Sequence, residues 1–67
     1  KNQLTINATN YFSQIHVLDI MGKTVLKKNL SATKKLVLST GSLENGYYFI
    51  QIIQGNKLRS YPFMKIN

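Results

Sequence analysis

In this 67-residue chain, apolar positions recur every second residue in short runs, and no stretch sustains helical spacing. Alternation at period two marks half-buried strands, because successive strand side chains point to opposite faces. "QLTIN" puts Leu4 and Ile6 on one face. After a polar break at residues 8–10, "SQIHVLD" puts Ile15 and Val17 on one side and His16 and Leu18 on the other. "KTVLKKNL" reads as a return strand, "SATK" as a second loop, and "KLVLS" as a strand with Leu36 and Leu38 on a shared face. "YYFIQIIQ" carries Tyr48, Ile50 and Ile52 on one face and Tyr47, Phe49 and Ile53 on the other. A strand apolar on both faces is expected at the centre of a sheet, covered at least in part on both sides. The last run, "KLRSYPFMKI", sets Leu58, Met64 and Ile66 against Arg59, Tyr61, Phe63 and Lys65. Pro62 has no N–H to give a ladder, which assigns this strand to a sheet edge or a bulge.

The breaks between runs carry turn chemistry. In "DIMGK", the Asp19 carboxylate can accept a hydrogen bond from the backbone two residues on, and Gly22 supplies the positive φ that closes a type I turn with a bulge. "TGSLENG" is a longer connection in which Leu43 is expected to tuck inward and Asn45-Gly46 to make the corner. Gly55-Asn56 reads as a two-residue hairpin loop. The count is about six strands and no helix. The fold class is therefore all-β, an antiparallel meander or sandwich, in a single domain spanning residues 1–67.

A chain of this length buries only about 60% of the surface its unfolded form exposes, so its core is thin. It has no cysteine, hence no disulfide framework and no thiolate metal site. No apolar run approaches the roughly 20 residues that span a bilayer, and the first ten residues lack the hydrophobic stretch of a signal peptide. The chain begins without methionine inside an expected strand, which suggests the tail of a longer protein.

The net charge of +7 would favour phosphates, anionic lipid or acidic surfaces. The nine basic residues are scattered, however, most of them at positions where a β-protein places solvent-facing side chains, and lysine commonly guards exposed strand edges. Asn45-Gly46-Tyr47-Tyr48-Phe49-Ile50-Gln51-Ile52 superficially matches the base-stacking strand of an RNA-recognition module. That module needs helices this sequence cannot make, a Lys or Arg where Asn45 stands and a small residue where Tyr48 stands. The reading is no nucleic-acid partner.

Catalysis has almost no raw material. His16 is the single histidine, and Asp19 and Glu44 are the only carboxylates, both at turns. No glycine-rich loop precedes a helix, so there is no phosphate cradle. The sequons at Asn7 and Asn29 are read as chance. The aromatics Tyr47, Tyr48 and Phe49 are consecutive and cannot all face one way, so core packing accounts for at least half of them. The chain is not an enzyme on this reading and needs no cofactor or metal.

The order of the motifs carries a further signal. Ile15, Val17, Asp19, Gly22 and Lys23 fit I-x-V-x-D-x-x-G-K; Leu43, Gly46, Tyr48, Ile50 and Ile52 fit L-x-x-G-x-Y-x-I-x-I; a glycine hairpin at Gly55 and a basic strand from Lys57 to Lys65 follow. In this order and spacing the set resembles the type A C-terminal sorting domain of the type IX secretion system of Bacteroidota, from Leu4 to Ile66. The chain departs from the family pattern in lacking the Pro-Asn-Pro segment before the first strand and in carrying Pro62 inside the last.

The resemblance implies an Ig-like antiparallel β-sandwich of about six to seven strands at the end of a larger cargo protein. It implies that the cargo passes through the periplasm and is carried across the outer membrane to the cell surface or the extracellular space. The implied partners are the outer-membrane translocon, the sortase that usually removes the domain, and the cargo upstream in the same chain. An exposed, basic terminal strand could be read by strand addition, and an unpaired edge is compatible with a homodimer. The residues carried over for translocon recognition are Gly46, Tyr48, Gly55, Lys57, Phe63 and Lys65, with Lys57 and Lys65 expected to make direct contact; Asp19 and Gly22 are carried as the structural turn. An Ig-like or fibronectin-like adhesion or spacer module of a surface protein is the alternative.

Overall fold

The local turn chemistry of Asp19 organises the first hairpin. In a computed structural model, which describes residues 2–66, Asp19 Oδ1 accepts hydrogen bonds from the Met21 and Lys23 N–H groups, each at 2.9 Å. The Gly22 N–H donates to the Asp19 carbonyl at 3.0 Å, and Gly22 takes φ 85°. This is the expected type I turn followed by a left-handed glycine. It joins β1 (Gln3–Asp19) to β2 (Thr24–Ser39).

A connection of six residues leads to β3 (Gly46–Gln54), and a two-residue loop leads to β4 (Lys57–Lys65). Gly55 has φ 64° and no non-glycine residue described has positive φ, so the loop is a type II′ turn with glycine at its first central position. All pairings are antiparallel, and the strands lie in one four-stranded sheet in the order β2-β1-β3-β4.

The described residues form four strands where the sequence pattern gave about six. The polar stretches at residues 8–10 and 31–34 are not turns; β1 and β2 run straight through them as a bulged hairpin. Register shifts fall between Asn7 and Phe12, between Phe12 and Gln14, and between Val17 and Leu18. Their effect shows in the buried side chains: Ile6 and Phe12 face the core from even positions, Ile15 and Val17 from odd ones. A bulge inserts an unpaired residue and bends the strand, so it achieves a phase change that a straight strand cannot.

The two ends of the hairpin have different neighbours in the sheet. Residues 3–7 of β1 pair with β2 alone, whereas residues 14–18 pair with both β2 and β3. Leu4, Ile6, Leu36 and Leu38 from the folded-over part pack with Phe12, Ile15, Val17, Tyr48, Ile50 and Ile52 below them. Leu43 closes one end of this core, as the sequence suggested, held by a Leu43 N–H to Thr40 carbonyl bond of 3.0 Å.

β3 is central in the strand order, but it is covered on one face only. Tyr47 is 62% exposed and Phe49 42%, with Met64 and Pro62 directly beside them on β4 and also exposed. The two-sided apolar character of "YYFIQIIQ" therefore does not report two-sided burial, because no second layer covers that outer face among the described residues.

Pro62 sits in the edge strand, as required. In a two-residue hairpin the closing pair Gln54–Lys57 exchanges both backbone hydrogen bonds, and hydrogen-bonded pairs alternate from there. Tyr61 and Phe63 therefore turn their N–H groups towards β3, and Pro62, opposite Phe49, falls between them. Its missing donor would have pointed to the free edge, so the ladder loses nothing.

Candidate functional site

The six residues carried over for recognition fall at two places on the β3–β4 hairpin. Gly46 pairs with Lys65 and Tyr48 pairs with Phe63 at one end; Gly55 and Lys57 occupy the other end. At about 3.3 Å per residue, the two groups are separated by roughly 25 Å.

The first group is a braced corner. The rings of Tyr48 and Phe63 stack with centroids 5.5 Å apart and an interplanar angle of 22°. The Tyr48 hydroxyl donates to the Glu44 carbonyl at 2.6 Å. Lys65 Nζ donates to the Leu43 carbonyl at 3.2 Å, and Lys65 is only 2% exposed. The loop between β2 and β3 leaves two carbonyls turned inward, and a phenol and an ammonium from the hairpin satisfy them. A buried ammonium is tolerated only when its donors are used, so Lys65 is fixed in the corner. Of the two lysines expected to make direct contact, Lys57 alone presents its side chain at the surface.

Sequence reasoning could foresee Tyr48 and Phe63 as strand neighbours only by assuming the Gly55 hairpin register. It had no signal for the inward-turned carbonyls of Leu43 and Glu44. A lysine near a chain end looks like surface charge until a carbonyl is found above it.

The two carboxylates, distant in sequence, line one hollow of about 520 Å3 between the Asp19 turn and the loop before β3. Asp19 already spends its Oδ1 on the turn. His16 lies on the sheet's outer face opposite Lys27 and Gln51, half-buried, with Nε2 lacking a hydrogen-bond partner. Among the described residues, His, Asp and Glu come together in no group of three or more.

A second concavity of about 500 Å3 lies between the folded-over part of β1 and the hairpin. Residues 4–9 form one wall; Ile50, Ile52, Arg59, Tyr61 and Phe63 are among those opposite. Tyr11, beyond it, is exposed and carries the Lys34 ammonium 4.9 Å above its ring centroid. That contact is a minor surface brace, worth about 0.5–1 kcal/mol.

No curated protein and no solved structure matches the chain. The family described as the secretion system C-terminal sorting domain matches residues 1–65. The residues on which the sequence resemblance rested serve the fold as turns, braces and core: Asp19 and Gly22 in the first hairpin, Leu43, Tyr48, Ile50 and Ile52 in the core. That family is a sorting signal rather than a catalytic family. With nearly the whole chain matched, this protein belongs to the C-terminal sorting domains of the type IX secretion system.

Proposed function

We propose that this domain is the folded address by which the outer-membrane translocon of the type IX system selects a cargo protein and carries it out of the periplasm. A sorting domain is recognised by secretion machinery, and its cargo leaves the cell. The observation that carries the reading is the family match across residues 1–65. The finer reading is that the translocon contacts the β3–β4 hairpin. There the exposed Lys57 beside the Gly55 turn offers charge, while Gly46, Tyr48, Phe63 and Lys65 keep the far end rigid. A sortase acting on the exported cargo belongs to the same reading.

An Ig-like two-layer arrangement is also part of the proposal. It is supported by the bulged β1–β2 hairpin, in which each strand contributes to both layers.

The experiment is an export assay in a Bacteroidota host with a working type IX system. Residues 1–67 are fused behind a periplasm-directed fluorescent protein, beside a fusion carrying Lys57→Glu. The reading expects the first fusion at the cell surface or in the medium, and the second substantially retained. A folded, intact first fusion held in the periplasm overturns it.

A further inference from the structure

The layer that covers the core stops one strand short of the layer it covers. Below, residues 14–19 of β1 are followed sideways by β3 and then β4. Above, the folded-over part contains only residues 3–7 of β1 and residues 35–39 of β2. Nothing in the described chain covers the Arg59–Tyr61 stretch of β4. Its alternation aims Arg59, Tyr61 and Phe63 at the core side, yet Arg59 is exposed and Tyr61 remains 46% exposed.

The missing neighbour leaves a strand edge bare. Residues 4–9 all line the groove without interruption. Adjacent strand residues point to opposite faces, so the four residues ahead of the bulge, Leu4 to Asn7, all line one concavity because the backbone edge itself faces it. Between residues 3 and 7 that edge, the one turned away from β2, pairs with no strand among the described residues. The groove thus has a row of backbone donors and acceptors along one wall and apolar side chains on the other. Two exposed β4 side chains, Arg59 and Tyr61, flank its open side.

The charge inside is one-signed. Arg59 lines the groove, and neither of the chain's two carboxylates does; Asp19 and Glu44 line the other hollow. Arginine without a counter-ion among the described residues, at the rim of an apolar groove, is matched by a carboxylate, to which its planar fork can donate two parallel hydrogen bonds.

We propose that the groove between residues 4–9 of β1 and the inner face of β4 accepts an extended segment of a partner protein as an added strand. That segment alternates apolar side chains, which cover Tyr61 and Phe63, and carries a carboxylate that pairs with Arg59. Main-chain hydrogen bonds to the β1 edge supply most of the hold, and side-chain fit supplies the selection. The added strand extends the covering layer over β4. This inference concerns what the groove binds, and it stands or falls independently of the export assay.

The test is an NMR titration of the whole 15N-labelled chain with blocked peptides of roughly seven residues, a length typical of an added strand. The probe alternates valine and threonine and carries one central glutamate. Saturable shifts confined to residues 3–9 and to Arg59, Tyr61 and Phe63 are expected. Replacing the glutamate by lysine is expected to weaken binding about threefold, the scale of a partly exposed ion pair. Arg59→Glu, at an exposed position that leaves the amide dispersion intact, is expected to reverse that preference. Peptides N-methylated on alternate residues separate strand addition from side-chain docking: one phase of methylation is expected to abolish binding and the other to preserve it. Equal effects of the two phases overturn the proposal. So do shifts centred on Tyr47, Phe49 and Met64, indifference to Arg59→Glu, or the absence of saturable binding at millimolar peptide.

Discussion

Tyr48 and Phe63 are cross-strand partners whose rings stack 5.5 Å apart, and the Tyr48 hydroxyl reaches past the stack to the Glu44 carbonyl at 2.6 Å. One side chain thereby ties β4 to the loop that precedes β3. The two contributions separate by substitution. Tyr48→Phe keeps the stack and removes the hydroxyl, which is expected to destabilise by about 1 kcal/mol and to leave Glu44 with an unmatched carbonyl. Phe63→Leu keeps apolar bulk and removes the stack, for about 0.5–1.5 kcal/mol. Urea unfolding of the two variants and their double mutant reads both values. A double-mutant coupling near zero would mean that ring and hydroxyl act independently.

Lys65→Met tests the buried ammonium. The substitution retains most of the aliphatic stem and removes the donor to the Leu43 carbonyl. An unsatisfied buried acceptor is expected to cost about 1–3 kcal/mol, which in a domain of this size lowers Tm by about 4–8 °C per kcal/mol. Lys57→Met, at an exposed site, is expected to leave Tm within about 2–4 °C, since surface changes of this kind stay within about 0.5 kcal/mol. In the export assay the pair should divide the other way. Loss at Lys65 should track stability, and loss at Lys57 should appear without it. A Lys65→Met chain of unchanged Tm would remove Lys65 from the corner's support.

The hairpins at Asp19–Gly22 and Gly55–Asn56 were legible because their causes are local: an acceptor two residues from its donor, and glycine where φ must be positive. The inward set Tyr48, Ile50 and Ile52 was legible for the same reason, since alternation within one strand needs no partner. The bulges at residues 8–10 and 31–34 were not. Short polar residues suit a turn and a bent strand equally well, and only the register opposite them decides. The corner at Lys65 was illegible because its cause is a carbonyl 22 positions away. The groove depends on where the covering layer ends, which no run of residues records.

The Asp19 turn should respond in graded fashion. Asp19→Ala removes the acceptor for two N–H groups and is expected to cost about 1–2 kcal/mol; Asp19→Asn keeps a neutral acceptor and should lose less. At Gly22 an added Cβ would meet nothing within 4 Å, so Gly22→Ala is resisted by backbone conformation alone. That strain is about 1–2 kcal/mol for a left-handed residue. Thermal melts of the three variants order them, and a Gly22→Ala chain as stable as the parent would contradict the positive φ.

Ile15 is fully buried beside Val17 at the centre of the core. Ile15→Ala is expected to cost about 2–5 kcal/mol. A total stability of about 5–15 kcal/mol is usual for a domain, and a chain of this size sits at the low end. The variant should be largely unfolded at growth temperature, with its amide dispersion collapsed. Val37, on the same hairpin but facing out and half exposed, provides the contrast. Val37→Thr should change stability by no more than about 0.5 kcal/mol. A well-dispersed Ile15→Ala spectrum at that temperature would place the centre of the core elsewhere.

Pro62 is best understood through what its replacement would add. Its nitrogen faces the open side of β4, between the free donors of Ser60 and Met64, so the edge carries a gap in its row of N–H groups. Pro62→Thr closes that gap without touching the ladder to β3. Folding stability is expected to stay within about 0.5 kcal/mol, because no hydrogen bond inside the domain depends on the residue. Self-association should rise instead, since an uninterrupted edge is a template for another strand. A proline one position earlier has the opposite signature. Tyr61 donates to β3, so Tyr61→Pro breaks the ladder and is expected to cost at least about 1–3 kcal/mol. Sedimentation velocity across a concentration series, paired with urea unfolding, separates the two. A Pro62→Thr chain that stays monomeric at millimolar concentration would show that lysine charge alone guards this edge.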